Sequence, residues 1–285
     1  MFRSTALALV VLIVPGLASA QELDGHLKKI KETKTVAIAY RSDAAPFSFV
    51  DDAKQPTGFS IEVCRRVVST IGQQIGAEAV QINWVPVTVH TRMEAVEKGQ
   101  ADMECGSTTV TLSRMERVAF SSFIFVDSTG LLIKADSTVR QLSDLGSKKI
   151  GVIPGTTNEK ALNEALKRAV INATVVPIKT REEGLTQLEG GQIDAFASDK
   201  VLLTALAAKA KDPKTIALLT DDLSSEPYAI TLPRGDGDFR LAVNTALAQI
   251  YRSGSIVESF QRWFGAIGND RLLRTWHARD HLRVQ

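Results

Sequence analysis

A run of hydroxyl-bearing residues between a glycine and an arginine is the part of the sequence best suited to bind a polar ligand. From Gly106 to Arg114 it reads Gly-Ser-Thr-Thr-Val-Thr-Leu-Ser-Arg. Its hydroxyl and amide groups offer donors and acceptors, and the planar guanidinium of Arg114 can hold a carboxylate by two parallel hydrogen bonds. A helix N-cap followed by a solvated arginine has the same pattern, so the run alone leaves both interpretations open.

Motifs for metal binding or catalysis are scarce. Cys64 and Cys105 lie in unrelated local contexts rather than at zinc-ligand spacing. The chain has no Gly-x-Ser-x-Gly, Walker loop or His-Glu-x-x-His motif. His26 precedes the first predicted strand, and His90 is expected to face solvent. We therefore expect no metal, no cofactor and no catalytic residue; an exported dehydratase acting on a cyclic acid is the enzyme alternative.

Length and charge place further bounds on function. The 285 residues, 44% of them hydrophobic, suffice for two ordinary domains with proper cores. The 34 Lys and Arg residues against 32 Asp and Glu residues leave a net charge of +2. This balance provides no large basic field, so the composition indicates a soluble protein that does not bind nucleic acid.

The first 20 residues have the pattern of a secretory signal peptide. Arg3 precedes an uninterrupted apolar run over residues 6–14, and Ala18-Ser19-Ala20 has the small-x-small form of a cleavage site. The run is shorter than the ~20 residues that a membrane span needs. We expect residues 1–20 to be removed by cleavage after Ala20; an N-terminal core helix is the alternative.

Strand and helix patterns alternate in two arrays along the chain. In the first array, strands are predicted over residues 35–40, 82–87 and 101–104, and helices over 58–75 and 91–97. In the second array, strands are predicted over residues 149–153, 174–177 and 194–197, and helices over 158–170, 181–189 and 200–210. Such alternation predicts βαβ units with mostly parallel sheets, and hence an α/β fold.

The two arrays predict two lobes with two crossings between them. Extended segments over residues 123–134 and 226–232 separate the arrays, and the helical patterns after the second segment would return to the first array. We predict the following division: lobe 1 from residues 21–126 with 229–268, lobe 2 from residues 127–228 including the hinge strands, and a helical tail over 269–285. Two lobes joined by two strands are typical of a binding protein that closes about a hinge. The Arg-rich tail is interpreted as a solvated helix, with a partner-docking face as the alternative.

The two cysteines permit two interpretations. Cys64 falls on the apolar stripe of a predicted helix, and Cys105 stands at a strand end. In an oxidising compartment they could form a disulfide, which the sequence permits without requiring it. Two buried free thiols are the favoured interpretation.

The sequence resembles a known family over nearly the whole mature chain. It looks like the periplasmic substrate-binding proteins of polar amino-acid ABC transporters (bacterial solute-binding family 3), and most like their glutamate/aspartate-binding members. The matching motifs are Ala-Pro-Phe-Ser-Phe at 45–49, Gly-Phe-Ser at 58–60, the run at 105–114, Gly-Thr-Thr at 155–157, Asp-Ala-Phe-Ala-Ser-Asp at 194–199 and Trp-Phe at 263–264. The resemblance implies the type II periplasmic-binding-protein fold, in which two βα lobes are joined by two hinge strands.

The resemblance also implies a partner for each end of an amino-acid ligand. It assigns the α-carboxylate to Arg114 with the backbone amides of Thr109 and Thr157, and the α-ammonium to Asp199 with oxygens of Ser107 and Thr109. A zwitterion that leaves water needs an opposite charge at each end. Arg114 and Asp199 would belong to different lobes, so only a closed form would satisfy both. A helix N-cap is the alternative role of Asp199.

Members that bind acidic amino acids place basic groups around the side-chain carboxylate. The resemblance assigns this position to Arg41, Arg92 and Arg181. The glutamate/aspartate-binding members look to have a histidine in place of Arg181 and a serine in place of Val89. As alternatives, Arg41 could pair with Asp43, and Arg181 with the glutamates that follow it (Glu182, Glu183), in exposed pairs that contribute little.

The predicted pocket carries an excess of positive charge. Its four arginines and single carboxylate give a net charge of +3, whereas glutamate or aspartate carries −1. A dry pocket left with a net charge of +2 would be unfavourable. We therefore expect that one arginine is solvated, or that a nearby acid such as Glu104 neutralises it.

The expected function is capture of glutamate or aspartate between two lobes, followed by delivery to an ABC permease. The expected state is a periplasmic monomer. Glutamine, asparagine or another polar amino acid stay open as ligands. A sensor that presents its ligand-bound form to a receptor, rather than to a transporter, would have the same sequence pattern.

Overall fold

The structure is a computed structural model that describes residues 23–77 and 79–265. The predicted signal peptide and the predicted tail lie outside these residues. The strands are β1 Thr35–Arg41, β2 Asp43–Ala44, β3 Ser48–Val50, β4 Pro56–Thr57, β5 Gln81–Val87, β6 Met103–Glu104, β7 Ala119–Asp127, β8 Thr129–Lys134, β9 Lys149–Val152, β10 Thr174–Pro177, β11 Ala195–Asp199, β12 Ile216–Leu218 and β13 Glu226–Leu232. The helices are α1 Gly25–Thr33, α2 Phe59–Gln74, α3 Arg92–Glu97, α4 Leu112–Met115, α5 Thr157–Arg168, α6 Arg181–Glu189, α7 Lys200–Ala207, α8 Gly237–Arg252 and α9 Ser255–Phe264, with short 3₁₀ turns at Leu142–Leu145 and Pro213–Thr215.

The first sheet has the strand order β5-β1-β6-β13-β7. Strand β1 runs parallel to β5 and β6, whereas β13 runs antiparallel to β6 and β7. Val36 and Ile38 of β1 pack into the main hydrophobic core, and Ala39 packs with Ala95 and Val96 of α3 in a separate cluster. Because neighbouring side chains of a strand point to opposite faces, both faces of this sheet are covered.

The second sheet has the strand order β10-β9-β11-β8-β12. Strands β10, β9 and β11 are parallel, and β8 is antiparallel to β11 and β12. Leu131 and Ile133 of β8 pack in one hydrophobic cluster, whereas Leu132 packs in another. A small third sheet joins β2, β3 and β4. The α/β class and its two βα lobes therefore follow the prediction.

The chain crosses between the two sheets twice. It leaves the first sheet after β7, enters the second at β8, and returns between β12 and β13. Strands β7 and β13 pair along their length, with register shifts between Tyr228 and Ala229 and between Ala229 and Thr231. The single extended segment predicted over residues 123–134 is thus two strands that belong to different sheets. The exact lobe boundaries stay a prediction.

The main core contains an aromatic cluster that ties the C-terminal helices to the first sheet. The ring of Phe264 in α9 lies 5.0 Å from that of Phe125 in β7 and 5.3 Å from that of Phe47. Phe59 of α2 and Tyr228 of β13 join the same cluster. Burial of each such ring contributes about 1.5–3 kcal/mol. Helices α8 and α9 therefore pack with α2 and β7 of the first sheet's core.

The favoured interpretation of the cysteines is wrong. Cys64 and Cys105 form a disulfide, and both side chains are fully buried. Helix α2 packs beside the end of β6, which brings the two Cα atoms to 6.4 Å, within the range of a disulfide. The bond fixes α2 to the segment that starts the hydroxyl-rich run.

Candidate functional site

The hydroxyl-rich run begins as a tightly held turn at the end of β6. Glu104 accepts hydrogen bonds from Thr108 (2.7 Å) and Thr231 (2.9 Å), and the Gly106 carbonyl accepts one from Ser60 (2.7 Å). A Cβ atom on Gly106 would lie 2.3 Å from the Glu104 Oε1 atom, so a larger residue here would displace the Glu104 carboxylate. These hydrogen bonds and this close approach hold the turn at the start of the run against β6 and β13.

Both interpretations of the run describe part of what the structure shows. The Thr111 hydroxyl caps α4 by accepting a hydrogen bond from the Arg114 amide. Arg114 is nevertheless partly buried, and its Nη1 atom donates to the Thr109 carbonyl at 2.7 Å. Burial lowers the pKa of Arg114, and the nearby carboxylate of Glu226 opposes that effect. The guanidinium is held in the cleft rather than solvated.

Two further arginines of the first lobe are buried. Arg92, at the start of α3, donates from Nη1 to the Ser107 carbonyl at 3.2 Å. Burial lowers the pKa of Arg92 to about 9, against the opposing effect of Glu104. Arg41, at the end of β1, donates from Nε (2.8 Å) and Nη2 (2.7 Å) to the two carboxylate oxygens of Asp43. The alternative pairing of Arg41 with Asp43 is therefore present, but the Arg41 side chain is only 2% exposed.

The second lobe contributes residues from three helix starts. Asp199 stands at the N-cap of α7, but its side chain makes no capping hydrogen bond and instead accepts one from Asn158 Nδ2 at 3.2 Å. Arg181, at the start of α6, is buried and lies 4.0 Å from Asp199 and 3.4 Å from the Ser198 hydroxyl. The alternative of a surface pair with the following glutamates is wrong, because the side chain points inward. Thr157 begins α5.

Two contacts bridge the lobes at this site. The hydroxyl groups of Thr109 and Thr157 lie 3.4 Å apart, and Arg181 Nη1 lies 3.6 Å from Asp43 Oδ2. Together with the contacts above, they place all the predicted site residues in one cleft: Arg41, Arg92, Ser107, Thr109, Arg114, Thr157, Arg181 and Asp199. The His90 side chain is exposed, as predicted.

Glu226 is the site residue that sequence reasoning missed. Its carboxylate accepts a hydrogen bond from the Thr109 hydroxyl at 2.6 Å, and two others from Thr129 (3.2 Å) and Ser224 (2.5 Å). A charged residue at the start of an otherwise apolar crossing strand was the available signal. The buried Asn158 of α5, which also donates to Thr129 at 2.8 Å, was missed as well.

At least as many acids as arginines lie at the cleft. Beside the four guanidinium groups lie the carboxylates of Asp43, Glu104, Asp199 and Glu226. The structure therefore supports neutralisation by nearby acids, rather than solvation of one arginine. Buried charges are stabilised only when they are paired in this way.

Three carboxyl groups gather where β7 ends and β13 begins. Burial raises the pKa of Asp199, and Glu226 raises it further, whereas Arg181 lowers it. Burial, together with Asp199, raises the pKa of Asp127 well above its usual range. Tyr228 contacts this group, with its hydroxyl 3.4 Å from Asp127 Oδ2. Carboxylates packed this closely in a buried site favour retention of a proton.

Several buried polar atoms of the cleft have no hydrogen-bond partner among the described residues: Arg41 Nη1, Glu104 Oε1, Ser107 Oγ and Arg181 Nη1. Buried polar groups are nearly always paired in proteins. Cationic donors from both lobes and a hydroxyl oxygen are thus available to a small polar ligand.

Residues 23–77 and 79–265 contain no cluster of ligating side chains that could hold a metal ion. His277 and His281, which stand four residues apart, lie outside the described residues. Within the same described part of the chain, no helix has the length and apolar character to cross a membrane.

Comparison with known proteins identifies relatives across most of the chain. It is 32% identical over 92% of its length to the L-glutamate/L-aspartate-binding protein of Pseudomonas aeruginosa, covering 86% of that protein. It is 30% identical over 92% of its length to the glutamate/aspartate import solute-binding protein of Escherichia coli, covering 88% of it.

Solved structures share the fold. The cysteine-binding protein of Campylobacter jejuni matches with a TM-score of 0.76 at 21% identity, over 86% of this chain and 95% of that one. The ancestral amino acid-binding protein AncCDT-1, a precursor of cyclohexadienyl dehydratase, matches with a TM-score of 0.73 at 26% identity, over 84% of this chain and 100% of that one. Residues 36–266 match the bacterial extracellular solute-binding proteins, family 3. The chain belongs to this family and has its type II periplasmic-binding-protein fold, as the resemblance implied.

Proposed function

We propose that this protein captures an acidic amino acid, L-glutamate or L-aspartate, between its two lobes and delivers it to the membrane permease of an ABC transporter. The observation that carries the proposal is the separation of charge in the cleft. Asp199 and Glu226 lie together at one end, and Arg41 and Arg92 lie at the other. Arg181 joins the two ends, 3.6 Å from Asp43 and 4.0 Å from Asp199. The names of the P. aeruginosa and E. coli relatives support this ligand class.

The acidic end of the cleft suits the α-ammonium group. Asp199 offers the charge, and the unpartnered hydroxyl of Ser107 offers an oxygen. The Thr109 hydroxyl donates its hydrogen to Glu226, so the Thr157 hydroxyl is the donor in the 3.4 Å contact between the two threonines. One lone pair of Thr109 is left to accept from an ammonium group. The proposed role of Thr109 as an acceptor is therefore consistent with its hydrogen bonding.

Arg114 suits the α-carboxylate. Its hydrogen bond to the Thr109 carbonyl holds the guanidinium in one orientation beside the start of α5, where Thr157 stands. A pre-oriented guanidinium forms parallel hydrogen bonds to a carboxylate with little loss of side-chain freedom. The amide groups at a helix start also favour a negative group.

The basic end suits the side-chain carboxylate of the ligand. Arg92, Arg41 and Arg181 are buried there. The Nη1 atoms of Arg41 and Arg181 make no hydrogen bond among the described residues, although that of Arg181 lies 3.6 Å from Asp43 Oδ2. A neutral amide in this position would leave these cationic donors poorly compensated. The site should therefore prefer glutamate and aspartate to glutamine and asparagine.

Closure links capture to delivery. The Thr109–Thr157 and Asp43–Arg181 contacts join opposite lobes, so they form only when the cleft is closed. A ligand that contacts both lobes favours this closed form, which a permease can distinguish from the open one. We propose that the protein acts as an exported periplasmic monomer, without enzymatic activity, after removal of residues 1–20.

Isothermal titration calorimetry with a panel of amino acids tests this proposal. Arg114→Met should abolish binding of every amino acid, because two charge-assisted hydrogen bonds at about 1.5–3 kcal/mol each are lost. Arg92→Met should weaken glutamate and aspartate far more than glutamine and asparagine. Arg240→Met, which removes an exposed arginine of α8, is the matched control and should bind like the unmodified protein.

The result that contradicts the proposed ligand is binding confined to basic or aromatic amino acids. An equal loss of affinity for all four ligands in Arg92→Met would contradict the assignment of the basic end to the side-chain carboxylate. Thermal unfolding with each ligand provides an independent check, since a ligand that binds only the folded state raises the melting temperature.

A further inference from the structure

Among residues 23–77 and 79–265, Asp43 is the one acid of the cleft with ion pairs to arginines of both lobes. It lies on β2 and accepts hydrogen bonds from Arg41 at 2.8 and 2.7 Å, while its Oδ2 atom lies 3.6 Å from Arg181 of the second lobe. Its side chain is 29% exposed, whereas those of Arg41 and Arg181 are 2% and 5% exposed. Asp43 therefore stands at the edge of the basic end, with both guanidinium groups further inside.

The charge at the basic end depends on this residue. Arg41, Arg92 and Arg181 contribute three positive charges, and Asp43 and Glu104 remove two. The charge of Asp199, which also lies near Arg181, is balanced by the ligand's α-ammonium group, so the basic end keeps a net charge of +1. A single carboxylate balances that charge. Without Asp43 the net charge would be +2, which a doubly charged group such as a phosphate would balance.

Asp43 also limits the number of free donors. It occupies the Nε and Nη2 atoms of Arg41, so that only Nη1 of this side chain is left without a partner among the described residues. Glu104 does not limit the free donors of Arg41 in this way, because its carboxylate accepts hydrogen bonds from Thr108 and Thr231 within the first lobe. A phosphate presents three acceptor oxygens and so gains more than a carboxylate from additional donors.

We infer that Asp43 determines the ligand charge that the cleft accepts, by restricting the basic end to a singly charged side chain and excluding a doubly charged one. This inference rests on the proposed function, since it concerns the end of the cleft assigned to the ligand's side chain. Asp43 is ionised at neutral pH: burial alone would raise its pKa, but Arg41 and then Arg181 hold the pKa below its usual value.

Calorimetry with L-glutamate and O-phospho-L-serine tests the inference. For each protein we take the ratio of its affinity for phosphoserine to its affinity for glutamate. Comparing this ratio between variants cancels the effect of the difference in size between the two ligands. Asp43→Asn should shift this ratio toward phosphoserine by about tenfold or more, which corresponds to about 1.4 kcal/mol. Asp43→Glu, which keeps the charge, and Asp52→Asn, which removes an exposed charge from the neighbouring turn, should leave the ratio within about threefold.

The possible outcomes separate the two proposals. If the unmodified protein binds neither glutamate nor aspartate, the proposed function fails whatever the variants do. If it binds them and the ratio in Asp43→Asn stays within about threefold, the inference about Asp43 is overturned. A folded Asp43→Asn protein that does not bind phosphoserine, or that loses both ligands, also overturns it, since Asp43 would then only hold Arg41 in place. If the Asp43→Asn protein does not fold, the same measurements are made on Asp43→Ser.

Discussion

Removal of the Cys64–Cys105 disulfide should destabilise the first lobe by about 4 kcal/mol. The two cysteines are 41 residues apart in sequence. Cross-linking a loop of 15 residues stabilises a protein by about 3 kcal/mol through the entropy of the unfolded chain, and a loop of 100 residues by about 4.7 kcal/mol, so about 4 kcal/mol is expected here. Cys64→Ala/Cys105→Ala removes the bond without leaving polar atoms in the core. Urea unfolding followed by tryptophan fluorescence measures the effect.

The same experiment contains its own control. A reductant strong enough to reach a buried disulfide should lower the unfolding midpoint of the unmodified protein and leave that of the double variant unchanged. Because Cys105 directly precedes the turn at Gly106, we also expect weaker glutamate binding in the variant. Equal unfolding free energies, within about 1 kcal/mol, of the oxidised protein and the variant would refute the loop-entropy reasoning.

Three further predictions concern the cleft and the first lobe. Burial raises the pKa of Asp199, whereas a ligand ammonium group beside it favours the ionised carboxyl. At pH values near and below the raised pKa, ligand binding should therefore release protons and tighten as the pH rises. Calorimetry in buffers of different ionisation enthalpy, repeated at falling pH, that shows no proton release at any pH would contradict this. Gly106→Ala should weaken glutamate binding more than about tenfold, because the new Cβ would lie 2.3 Å from Glu104 Oε1, whereas Gly237→Ala, in open space, should not. Burial alone would raise the pKa of Asp236, but the hydrogen bonds from the starts of α1 and α8 outweigh burial and hold the pKa below its usual value. The contribution of Asp236 to stability is therefore present above pH 3.8 and is lost as the pH falls through the lower pKa of the folded state. Asp236→Asn should thus lower the urea midpoint at about pH 7 by more than at about pH 3, and equal losses at both would contradict this.

The sequence predicted the elements of the fold well, because burial and periodicity are local. The apolar stripe of α2 and the exposed position of His90 follow from residues within one or two turns. The pairing of Cys64 with Cys105 does not, since it depends on how closely α2 packs on the end of β6. Sequence spacing alone cannot give that distance.

The cleft was predicted less completely, for a related reason. The run from Gly106 to Arg114 is recognisable from its composition alone. Glu226, by contrast, reaches the site only because β13 pairs with β7 and brings its carboxylate to Thr109. Likewise, the sequence left open whether Arg181 enters the cleft, as the resemblance implied, or pairs on the surface with the glutamates that follow it; the start of α6 points it into the cleft. Which charges neutralise each other is decided by tertiary contacts across the lobes.

The chain order of the first sheet has a consequence for biogenesis. Strand β13 separates β6 from β7, and α8 and α9 cover α2, so the earlier half of this lobe stays incomplete until residues 226–264 have arrived. A chain threaded through a translocation channel from its N-terminus would emerge with exposed strand edges at first, while the second sheet, whose strands all lie within residues 129–218, could already assemble. The unpaired edges of the first sheet would be open to pairing with other chains during that interval.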